Sequence, residues 1–87
     1  MEQQEEMQVG KVNHYFTKIG VAVVDVTDGS IKVGDELHIK GHTTDFRQKV
    51  TSMQVEHENV EMAESGQSIG LSVDQPVRAN DTVYKTL

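Results

Sequence analysis

Few side chains in this sequence combine a type and a spacing that could do chemistry. His38 and His42 lie close enough in sequence to suggest a pair of imidazole ligands. On a strand that separation covers a long distance, and Gly41 begins a loop between them. No cysteine is present, and no second cluster of histidines and carboxylates completes a coordination set, so surface histidines and no metal or other cofactor are expected. Glu56-His57-Glu58 has an acid–base look. Adjacent strand residues point to opposite faces, which puts the two acids on one side and His57 on the other. Catalysis needs a pocket and a partnered base, so this triplet reads as a solvated charged edge. Ser52, Ser65, Ser68 and Ser72 are nucleophiles by type only, and none sits in a nucleophile-elbow pattern. The chain does not read as an enzyme.

A binding role fits better, and the stretch 41–48 is its best place. The surface expected there comprises Lys40, His42, Thr44, Asp45, Phe46, Arg47 and Lys49. An aromatic beside local positive charge suits an unpaired base. The competing reading has Phe46 folding back to plug one end of a β-barrel, with Thr43, Thr44 and Asp45 building the turn. Large aromatics are scarce in this sequence, which favours the plug. Tyr15, Phe16 and Tyr84 read as core or rim residues.

The elements that must position these side chains are organised by one recurring pattern. Ile31-Lys32-Val33-Gly34-Asp35-Glu36-Leu37 is echoed by Ala63-Glu64-Ser65-Gly66-Gln67-Ser68-Ile69 and by Val77-Arg78-Ala79-Asn80-Asp81-Thr82-Val83. Each unit has a small or apolar anchor at both ends and a Gly or Asn that tolerates positive φ. The Asp or Gln that follows can hydrogen-bond nearby backbone amides. Each therefore predicts a tight turn that launches a strand.

Strands are predicted over 9–16, 21–26, 36–40, 49–55, 68–73 and 82–85. Val21-Ala22-Val23-Val24 is apolar on both faces and should be central. Thr27-Asp28-Gly29 carries a hairpin signal, and the spacing of Val50, Met53 and Val55 suggests a bulge. Glu56 to Glu61 reads as a polar connection. No segment shows the helical period. The expected fold is all-β, a small closed antiparallel β-barrel of about six strands, whose closure would protect the sheet edges.

At 87 residues the chain fits one domain over 9–87, preceded by a flexible acidic leader over 1–8. The leader lacks the basic and then apolar order of a signal peptide. With no cysteine and no long apolar run, a cytoplasmic monomer away from the membrane is expected. Fourteen acids against 8 bases give a net charge of −6, which argues against a broad nucleic-acid footprint.

Val21 to Gly41, read as VAVVDVTDGSIKVGDELHIKG, resembles the second, β-barrel domain of translational GTPases such as elongation factor Tu and bacterial initiation factor two. The later VTSMQ, AESGQSIGL and VRANDTVYK are similar to that domain's remaining strands and turns. Val24 departs from a small residue common in those factors, near their aminoacyl-end pocket, and Asn80 replaces a turn glycine. Val33 to Glu36, with Phe46, Val50 and Met53, is also similar to the C-terminal barrel of U32-family peptidases and their RNA-modifying relatives. As a whole, with GHTTDF and SMQVEH, the chain looks most like free-standing translation-factor-like barrels. The first resemblance implies a non-catalytic module of translation or RNA metabolism that contacts RNA (tRNA or the ribosome) or a protein partner. The second implies a detached interaction subunit of a U32-type enzyme. No glycine-rich phosphate loop is present in these residues, so no nucleotide is expected as a ligand.

Overall fold

The computed structural model describes residues 5–87. Its strands are β1 (Glu6–Phe16), β2 (Val21–Val26), β3 (Ser30–Lys32), β4 (Glu36–Lys40), β5 (Asp45–Lys49), β6 (Met53–Val55), β7 (Glu58–Val60), β8 (Met62–Glu64), β9 (Ser68–Ser72) and β10 (Thr82–Thr86). Eight of them form one antiparallel sheet in the order β5-β4-β10-β1-β2-β9-β6-β7, and β3 with β8 makes a separate ribbon.

The three echoed stretches are the same turn built three times. Gly34, Gly66 and Asn80 have φ of 96°, 93° and 77°. The Asp35 amide donates to the Lys32 carbonyl at 3.0 Å, and Gln67 and Asp81 do the same to Glu64 and Arg78, each at 3.1 Å. The side chain then folds back on the same residue. Asp35 accepts from the Lys32 amide at 2.8 Å, Gln67 from Glu64 at 2.8 Å and Asp81 from Arg78 at 2.9 Å.

Docking is repeated as well. The amides of Gly34, Gly66 and Asn80 donate to the carbonyls of Val50, Val26 and Val12, each at 2.8 Å. Those three valine amides donate back to Asp35, Gln67 and Asp81 at 2.9, 2.9 and 2.8 Å. The six apolar anchors (Ile31, Leu37, Ala63, Ile69, Val77, Val83) and the three valines are all buried. They join Val9, Ala22, Val24, Ile39, Met53 and Leu71 in one core. The turns thus close the backbone hydrogen bonding and deliver much of the apolar interior in a single device.

A Cβ built on Gly34 meets nothing within 4 Å, so its only penalty is the positive φ. Gly34→Val should cost about 1–2 kcal/mol or more in chemical denaturation, whereas Asn80→Gly should be nearly neutral. Equal stability of Gly34→Val and the parent would show that the turn does not hold this geometry.

Several expectations are corrected. The sheet is not closed: β5 and β7 are its two ends, and ten strands replace about six. Where β5 would continue toward closure, the Val50 backbone pairs with the Gly34 turn instead of a strand. Of the four extra strands, β3, β7 and β8 have three residues each, too few for alternation to show in sequence, and β5 lies mostly in the stretch 41–48 that was read as loop. Val50 to Ser52 separates β5 from β6, where a bulged continuous strand was expected. Thr27-Asp28-Gly29 does not close a hairpin between neighbours. It carries the chain from the large sheet to the ribbon, with the Thr27 and Asp28 amides on the Val9 carbonyl at 2.8 and 3.2 Å. Of the leader expected over 1–8, residues 1–4 lie outside the described residues and Glu6, Met7 and Gln8 open β1.

Candidate binding surfaces

Residues 45–49 are strand rather than loop, and that decides where the expected surface goes. β5 pairs with β4 so that Glu36 faces Lys49, His38 faces Arg47 and Lys40 faces Asp45. Alternation sends Phe46 and Gln48 inward and Asp45, Arg47 and Lys49 outward. Phe46 is 8% exposed and belongs to the core, so its ring is buried as the competing reading had it, but as an inward residue of β5 in an open sheet and not as a loop residue plugging a barrel end. Thr44 is buried as well, while Lys40 and His42 are exposed in and beside the connection. Gln48 shows how its buried amide is satisfied: it donates to the Ser72 carbonyl at 2.8 Å and accepts from the Asp74 amide at 2.7 Å.

The outward face of β4 and β5 is a network with His38 at its centre. Its Nδ1 lies 2.9 Å from Glu6 Oε2 and its Nε2 lies 2.5 Å from Asp45 Oδ1. Arg47 Nη2 reaches the same Glu6 oxygen at 3.2 Å, and the Tyr84 ring is tilted against the imidazole at 6.2 Å. Two carboxylates on opposite ring nitrogens favour the doubly protonated imidazolium, which donates to both. Such a ring has no lone pair to offer a metal or a substrate proton. Sequence reading missed Glu6 altogether, since β10 and β1 must pair before it reaches β4.

The pKa of His38 is raised above its ordinary 6.5, chiefly by the bond to Asp45; burial opposes this and Glu6 adds to it. Asp45 is held below 3.8, chiefly by the same bond. His38 therefore contributes stability that is complete below pH 6.5 and is lost as pH rises through its raised folded value. Asp45 contributes above pH 3.8 and loses its share as pH falls through its depressed value. NMR titration of the His38 ring should give a midpoint above 6.5, and Asp45→Asn should bring it down. A midpoint unmoved by that substitution would remove Asp45 as the cause.

The acid–histidine–acid triplet is exposed at the sheet's edge, as expected, but its first two residues lie in a turn and not on alternating strand faces. Glu56 and His57 have φ of 51° and 67° and form the two-residue turn between Val55 and Glu58, which are paired. No helix is long and apolar enough to cross a membrane among the described residues.

Comparison with known proteins places this architecture. A family model described as Elongation factor Tu domain 2 matches residues 20–74. A collagenase of Porphyromonas gingivalis is 38% identical over 82 residues, which are 93% of this chain and 20% of that protein. An uncharacterized protease of Methanocaldococcus jannaschii is 34% identical over 80 residues, 91% of this chain and 19% of that protein. The chain thus spans about one fifth of the length of these curated relatives. The crystal structure of the C-terminal domain of a U32 peptidase from Geobacillus thermoleovorans superposes with a TM-score of 0.85 at 21% identity, covering 100% of this chain and 99% of that one. Its selenomethionine variant gives 0.83, covering 88% and 96%. That likeness shows the fold.

Proposed function

The chain belongs to the elongation factor Tu domain 2 family, and from that premise we propose that it is a non-catalytic module that binds a protein partner. Its counterpart in this reading is the C-terminal domain of U32-type peptidases. One observation carries the reading. The similarity to the collagenase runs through 93% of this chain but only 20% of the relative, so what is shared is a whole small domain and not the rest of that protein. The module would hold a protein substrate or dock on an enzyme body, and bond cleavage would lie outside these residues. A cytoplasmic monomer is the proposed working form.

A second reading, contact with RNA in translation, is favoured by the family and by Lys40, Arg47 and Lys49 standing near one another at the sheet end. Each of those cations has an acid beside it: Asp45 faces Lys40, Glu6 binds Arg47 and Glu36 faces Lys49. Compensated cations release few counterions on meeting phosphate, which weakens that reading.

Immobilised protein exposed to native lysate, with and without nuclease, separates the two. A protein partner retained after nuclease treatment is the expected result. Capture that disappears with nuclease would move the function to RNA, and peptide hydrolysis by the purified chain alone would overturn the non-catalytic reading.

A further inference from the structure

The double apolarity of β2 has a use that the core does not absorb. In an antiparallel sheet with one wet face, strands alternate apolar inward and polar outward. Ala22, Val24 and Val26 supply the inward side of β2, yet Val21 and Val23 face outward. Beside them Phe16, paired with Val21, is 45% exposed, and Ile19 in the β1–β2 turn is 68% exposed. Across Val23 on β9 stands Gly70, which has no side chain to fill the space. The result is a groove of about 370 Å³ floored by Val21, Val23 and Gly70, walled by Phe16 and Ile19, and edged by Glu56.

Its surroundings are acidic. Asp25 follows Val23 on the same outward row, and its carboxylate is held by two neutral donors, Asn13 Nδ2 at 3.1 Å and Ser68 Oγ at 2.6 Å. Ser68 itself lines the groove. Glu58, exposed at the start of β7, follows Glu56 across the turn. Of the basic groups around it, His57 lines the groove, His14 lies opposite Val23 in register with its ring 4.5 Å from that of Phe16, Lys11 is opposite Asp25 in register, and Lys18 stands in the β1–β2 turn. The turn that forms the edge is also strained, because Glu56 and His57 occupy positive φ where Asn and Gly would sit more easily. Side chains kept there against backbone preference are consistent with a surface that uses them.

Resting on the reading as a protein-binding module, we propose that this groove docks an extended segment of a partner protein that presents an aliphatic or aromatic side chain flanked by lysine or arginine. The apolar side chain covers Val21, Val23 and Gly70 against Phe16 and Ile19. The flanking cations meet Asp25 and the Glu56 edge. Burial of one large side chain supplies affinity, and the charges choose among partners.

The test uses the purified full chain and three short dye-labelled peptides read by fluorescence anisotropy. One alternates leucine with lysine, one leucine with glutamate and one alanine with lysine. The first should bind roughly tenfold or more tightly than either of the others. Ile19→Asp, at an exposed position, should keep the thermal stability of the parent and weaken the leucine–lysine peptide by roughly tenfold or more. Replacing the strained turn by Glu56→Asn with His57→Gly should raise thermal stability while weakening the same peptide. Equal binding of the alanine–lysine peptide, or binding untouched by Ile19→Asp, overturns the proposal. Self-association of the chain that Ile19→Asp abolishes would also overturn it, by making a second copy the occupant. If Ile19→Asp still captures the nuclease-resistant partner from lysate, the module reading stands and the groove falls.

Discussion

Gly10→Ala should destabilise the domain by about 3 kcal/mol, the upper part of the range for added core volume, and lower its Tm by about 15 °C. Gly10 lies in β1 where the register with β10 shifts, and it pairs across to Val26 of β2. A Cβ at that position would stand 2.5 Å from the Asp25 carbonyl oxygen and 3.1 Å from Val24 Cγ1. The nearest obstacle is backbone, so no rotamer change can relieve it. Separation of β1 from β2 is the remaining way out, and those strands carry Val9, Val12, Ala22 and Val24 of the core. Chemical denaturation of the purified variant measures the effect. A loss within about 0.5 kcal/mol, the level of an ordinary surface substitution, would mean that β1 and β2 do not approach as closely as described.

Gly41→Ala is expected to cost about 2–4 kcal/mol, through a different route that joins the β4–β5 connection to the third turn. The added methyl would collide with the carboxylate of Asp81. A side chain can usually swing aside, but Asp81 is 4% exposed and its Oδ2 holds the Arg78 amide at 2.9 Å. Displacing it opens the turn and takes the side-chain partner from a part-buried backbone donor. The decisive measurement is a double-mutant cycle. In an Asp81→Ala background the same Gly41→Ala change should cost less than about 1 kcal/mol, because the colliding group is gone. Simple additivity of the two substitutions would show that Gly41 is constrained by something other than Asp81.

Both expectations concern contacts that the linear sequence hides, whereas the turns themselves were legible in it. Gly34, Gly66 and Asn80 take positive φ as their types required, and the Asp or Gln after each closes on the backbone as predicted. Such turns are local: the residues that make them are neighbours in the chain. The same locality made β2, β4, β9 and β10 readable, since Leu37 and Ile39 or Ile69 and Leu71 alternate with polar residues over one short strand. The scarcity of aromatics favoured a buried Phe46, and it is buried, though no closed barrel exists for it to plug. The resemblance to elongation factor Tu domain 2 rested on these turns and strands, in an order that the family shares.

Tertiary structure decided what depends on distant partners. The sheet stays open with β5 and β7 as its ends, and just beyond β5 the Val50 backbone bonds to the Gly34 turn, a partner distant in sequence. β3 and β8 exist because Ser30, Ile31 and Lys32 meet Glu64, Ala63 and Met62 with four other strands between them in the chain, and three residues alone have no strand signal. Glu6 stood in a stretch that looked like a leader until β10 and β1 paired, after which it reached His38 and Arg47. The groove is the intermediate case. The sequence showed that β2 is apolar on both faces, but only the fold shows that Val21 and Val23 stay partly exposed on the floor of a groove, with Gly70 opposite Val23 adding no side chain. Periodicity reports which face of a strand is apolar; which neighbour, if any, buries it is settled by non-local packing.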